Sequence, residues 1–154
     1  MLTTFGPFLL APLFVFGVYH LLTWFNILHI NERVFWKRVA IASALCHILL
    51  AAGFFAFSYF DAGGANFGPY LFNESNFWKL MEIFDTAAMA VILLVFSGLD
   101  RAGINPPGLV SLTIGLTIVV GTAQWFFIGG AIGALLERFF EGLRTPDPEE
   151  QDWD

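Results

Sequence analysis

The sequence predicts an all-α integral membrane bundle of four transmembrane helices, with both termini outside and a disordered acidic tail. Three observations carry this. First, 57% of the 154 residues are apolar and only 13% charged, against about 25% charged in an ordinary soluble domain. Second, the charges fall so as to leave four apolar runs, and about 20 residues of helix cross a hydrocarbon core. Third, the net charge of −6 belongs to the end of the chain. The last fourteen residues set Arg144 against Glu141, Asp147, Glu149, Glu150, Asp152 and Asp154, and the rest is nearly neutral. Residues 1–144 therefore form the membrane domain. Residues 145–154, with Pro146 and Pro148, read as the tail.

The first span is predicted over 7–30, since no formal charge occurs between Met1 and Asn31. It lacks a basic leader and a small-x-small cleavage site, so it reads as a retained span and not a signal peptide. Arg38 and Asp61 bracket 22 uncharged residues, which places the second span over 39–60. The third is the weakest, because Asp85 and Asp100 bracket only 14. To reach across it must start near Asn76 or Phe77 and run over 77–98, with Glu82 and Asp85 inside it; Ser75 or Asn76 is the expected N-cap. The turn Ile104-Asn105-Pro106-Pro107-Gly108 starts the fourth span, 108–136, which runs on toward Glu137, Arg138 and Glu141. Gly63, Gly64, Gly68 and Pro69 mark the second connection as a loop.

Arg33, Lys37 and Arg38 make the first connection basic, which puts it in the cytoplasm and both termini outside. The predicted location is the plasma (inner) membrane. Asn73-Glu74-Ser75 matches a glycosylation acceptor in the outer connection. Trp24, Trp36, Tyr59, Tyr70, Trp78 and Trp125 read as interfacial anchors. Cys46, the single cysteine, reads as a small buried hydrophobe.

Helical spacing gives interior faces. His47 shares one with Ala40, Ser43, Ala44, Ala51, Phe54 and Ser58. Gln124 lies with Thr113, Thr117, Gly121 and Ala131, and Gly129-xxx-Gly133 is a close-packing pattern. Asp85 lies with Trp78, Glu82 and Met89. His20 lies with Leu13, Phe16, Gly17, Trp24 and Ile27.

The leading functional reading is a non-enzymatic accessory or structural subunit of a membrane assembly. Its predicted partners are the bilayer and a second copy or a larger complex. Nucleic acid is excluded by the lack of a basic face, and no hydrolase or nucleotide motif occurs. Two alternatives stand beside it. One is proton or ion conduction through a carboxylate site of Glu82 and Asp85 with Gln124, since a charge at mid-membrane costs about 2.5–3.5 kcal/mol and marks function by default. A level pairing of His47 with Asp85, able to exchange a proton, belongs with it. The other is a haem b anchor with His20 and His47 as axial ligands. No other metal and no other cofactor is predicted.

Overall fold

The computed structural model describes residues 2–63, 84–104 and 108–143. Every regular element among them is helical. α1 is Leu2–Trp24, α2 is Phe35–Asp61, α3 is Thr86–Arg101, α4 is Leu109–Leu116 and α5 is Thr122–Leu143. A π-helical turn, Thr117–Gly121, joins α4 to α5 without interrupting the rod. Two stretches are long and apolar enough to cross a membrane, Phe35–Phe60 and Leu109–Glu141. The predicted tail, Asn73 and the start of the third span lie outside the described residues.

α1 ends six residues before the predicted limit. Asn26 adopts a left-handed conformation (φ 47°) and stops the helix, and a 3₁₀ segment, Ile27–Glu32, follows. Neutral asparagines escape a count of charges, yet their amides compete for backbone groups. Asn26 Oδ1 accepts the Asn31 backbone N–H at 3.1 Å, and Asn31 Nδ2 donates to the Thr23 carbonyl at 2.9 Å. Arg38 then donates to the carbonyls of Arg33 and Asn31. Ile30, fully buried, pins the segment to the core.

α2 is the central element. One of its faces packs on α1, where Val18 and Leu22 meet Ala42 and Cys46. Cys46 is fully buried there, as its apolar setting predicts. Phe55, at the other end of α2, packs with Ala88 and Ile92 of α3 and with α4 residues such as Ile114. α5 comes close to α2 at Gly129 and Gly133, the close-packing pattern expected from the sequence. A Cβ on Gly133 would lie 2.8 Å from Trp36 Cα and 3.0 Å from Val39 Cβ; one on Gly129 would lie 2.6 Å from Ser43 Cβ. At Gly133 the obstacle includes backbone, which cannot swing aside. Gly133→Ala is therefore expected to destabilise by about 1–3 kcal/mol. At Gly115 of α4 an added Cβ meets nothing within 4 Å, so Gly115→Ala should be neutral or stabilising by up to about 1 kcal/mol. Thermal unfolding of both variants in detergent checks the contrast.

Many large apolar side chains face outward among the described residues. Phe14, Phe16, Leu49, Phe57, Leu94, Phe127, Leu135 and Phe139 are all exposed. Exposed apolar surface of this kind marks contact with lipid or another protein when it is contiguous.

Candidate functional site

The third predicted span is not one uninterrupted helix. Phe84 is helical, Asp85 leaves the helix (φ −127°, ψ 45°), and α3 begins at Thr86. A break leaves orphan backbone groups on both sides. Here α5 satisfies them. Gln124 Nε2 donates to the Phe84 carbonyl at 3.1 Å, while Gln124 Oε1 accepts the Ala87 N–H at 2.8 Å. One amide thus bridges the interruption. Trp125 Nε1–H is shared between the Phe84 carbonyl at 3.2 Å and Asp85 Oδ1 at 2.9 Å. The break is consequently a built feature: its irregular backbone persists because protein groups satisfy it.

Freed from the helix, the Asp85 carboxyl turns toward α2. Its Oδ2 lies 3.0 Å from His47 Nε2, and the other ring nitrogen, Nδ1, lies 3.1 Å from Thr122 Oγ1. Both partners are buried, His47 to 3% and Asp85 to 7% exposure. Every polar atom of the cluster has a partner, as burial requires. The predicted level pairing of His47 with Asp85 is thus a direct contact.

The π turn makes that contact sterically feasible. It delivers Gly121 against the pair, where a Cβ would lie 2.6 Å from His47 Nε2, 2.7 Å from His47 Cε1 and 3.1 Å from Asp85 Oδ1. It also delivers Thr122 beneath Nδ1. Single π turns inside α-helices recur at functional sites because they re-aim side chains at one position. The other polar residues of the predicted stripe do different work. Thr113 and Thr117 are buried, and each hydroxyl bonds the carbonyl four residues earlier, Leu109 and Thr113.

The remaining sequence candidates fall as follows. Gln124 adjoins Asp85 but bonds the backbone and not the carboxylate. Glu82 lies outside the described residues. His20 is exposed on α1, in ring contact with its own neighbours Phe16 and Tyr19. His47 faces α5, with both ring nitrogens engaged. The two histidines thus make their described contacts with different neighbours, His20 within α1 and His47 with Thr122 and Asp85. Trp125, expected from the sequence as an interfacial anchor, donates to Asp85 Oδ1, since a buried carboxylate needs donors and an indole N–H supplies one without charge. Gly121 lies on the face that spacing assigns to Gln124, but spacing marks neither Thr122 nor the hydrogen-bonding role of Trp125. The signal for them is the run Gly121-Thr122-Ala123-Gln124-Trp125, which packs small and polar groups into an otherwise apolar segment.

No family model, no curated protein and no solved structure matches the chain.

Proposed function

We propose that this chain is a small integral membrane protein that binds and releases protons at the His47–Asp85 pair, and so conducts protons or couples them to transport. The observation that carries the reading is depth. His47 is the thirteenth of the 26 residues in Phe35–Phe60, and Trp125 the seventeenth of the 33 in Leu109–Glu141. The midpoints of both membrane-length helices therefore coincide with the hydrogen-bonded cluster. Buried ionisable pairs at mid-membrane mark proton and ion pathways, and interrupted helices mark the binding sites of transporters.

In this reading α1 and the segment containing Asp85 complete a four-span bundle, since α3 alone, at 16 residues, reaches only about 24 Å. The apolar exterior faces lipid, and the basic connection around Arg33, Lys37 and Arg38 is cytoplasmic.

The test is proton flux into liposomes containing the purified chain and an internal pH dye, after an external acid pulse. Flux should exceed that of empty liposomes, and should fall at least tenfold in Asp85→Asn. Equal flux in that variant would sink the site. An absorption spectrum of the protein from haem-replete cells tests the haem alternative, which requires a Soret band that His47→Ala removes.

A further inference from the structure

We infer that Thr122 reads the proton load of the pair, its hydroxyl reversing direction when a proton is taken up. The inference rests on the proton-site reading and deepens it. It follows from counting donors and acceptors at three atoms: Asp85 Oδ2, the two nitrogens of His47, and Thr122 Oγ1, spaced 3.0 and 3.1 Å apart.

In the unloaded site Asp85 is a carboxylate and His47 a neutral ring. The carboxylate only accepts, so Nε2 must carry the ring's hydrogen and donate it to Oδ2. Nδ1 is then a bare lone pair, and Thr122 donates its O–H to it. Loading takes one proton from a hydronium ion, releases water, and forms a new N–H bond at Nδ1. The hydrogen between Nε2 and Oδ2 then resides on either atom. The site is an ion pair in one case and a neutral acid beside a neutral ring in the other. In both, Nδ1 carries a hydrogen and needs an acceptor. Thr122 Oγ1 is the acceptor in place, so its own hydrogen turns away from the ring. A hydroxyl is the one side-chain group here that serves both states, because it rotates between donor and acceptor.

No other group among the described residues competes for this role. Against His47 stand Asp85 at the head of α3, and Gly121, Thr122 and Trp125 from the π turn and α5. Asp85 is the one charged group of that set. Cys46, next to His47 in sequence, belongs to the face that packs on α1. Thr122 is thus a positioning residue for the proton site.

The test uses ¹⁵N-histidine-labelled protein in lipid nanodiscs, in a His20→Gln/His29→Gln background so that His47 alone reports. Both replaced rings are exposed. The ¹⁵N shift of Nδ1 distinguishes a bare from a protonated nitrogen. With Thr122 intact, Nδ1 should pass from bare to protonated as pH falls, and Thr122→Ser should follow the same curve. Thr122→Val keeps the shape but removes the acceptor that every loaded state needs. Valine also removes the donor that bare Nδ1 uses, so the two losses partly offset. The charge-assisted bond of the loaded form is the stronger, and at the pH of half-loading the ratio of protonated to bare Nδ1 should fall roughly three- to tenfold. Thr122→Ala, a second hydroxyl-free variant, should behave alike if valine disturbs folding. An unchanged Nδ1 curve in both hydroxyl-free variants overturns the inference while leaving the proton site standing. An Nδ1 signal that ignores pH in the parent protein overturns the proton-site reading itself.

Discussion

Gly121→Ala is expected to separate His47 from Asp85 and to abolish most of the proton flux, at a cost in stability of about 1–3 kcal/mol. The new Cβ falls 2.6 Å from Nε2, the nitrogen that faces the carboxyl. Three responses are available. α5 could retreat from α2, but Gly129 and Gly133 hold the two helices in contact farther along. The π turn could relax to an α turn, but that would rotate Thr122 away from Nδ1. The ring could swing on its own rotamers, and this is the easiest movement. It breaks the 3.0 Å contact that the proposed function needs. The flux should fall at least tenfold, by the same assay as for Asp85→Asn. Gly115→Ala, in the same rod but in open space, should leave flux unchanged. If Gly121→Ala conducts like the parent, close approach at Gly121 does not serve the site.

The physics behind this prediction also explains how far the sequence could be read. α2 and the rod from α4 to α5 are legible from charge spacing, since each is an apolar run bounded by ionised groups or a proline turn. α2 starts four residues before its predicted limit and ends one after it, and the rod starts one residue late but runs seven residues beyond 136, because helices continue through polar residues once packing supports them. The break at Asp85 is not legible locally. Between Met81 and Ala88 there is neither proline nor glycine, the usual signals for an interruption. What holds the break open is Gln124 and Trp125, about forty positions away in the chain. A window of neighbours contains no record of such bonds. The same reasoning applies to Trp125: a rule about aromatic residues near span ends knows depth but not partners. The His47–Asp85 contact was readable because both side chains lie on the interior stripes of helices running at similar depth. Its third member was not, because Thr122 reaches the ring through a π turn, and the 3.6-residue period used to find stripes places it off the face that carries Gly121 and Gln124.

Asp85→Ala and Asp85→Asn should differ sharply in stability although neither can carry a proton. Alanine removes both carboxyl oxygens. His47 Nε2 loses its partner, and Trp125 Nε1–H keeps only the Phe84 carbonyl at 3.2 Å. Breaking a buried pair by deleting one member typically costs about 3–5 kcal/mol. Asparagine keeps the shape and both bonds. Its Oδ1 accepts from Trp125, and its Nδ2 donates to Nε2. That forces the ring hydrogen onto Nδ1, which donates to Thr122 Oγ1. All four groups stay satisfied, and the site is held in the hydrogen-bond pattern of its loaded form. Asp85→Asn should therefore unfold within about 1 kcal/mol of the parent, in keeping with exchanges that leave no buried donor orphaned. Detergent-phase thermal or denaturant unfolding of the two variants measures the gap. A stable but non-conducting asparagine variant assigns the carboxyl to proton binding, whereas equal destabilisation by both substitutions would mean that the ionised carboxylate itself holds the helices together. The second outcome would make the pair a structural clasp, because a site built to release and regain a proton must survive in both states.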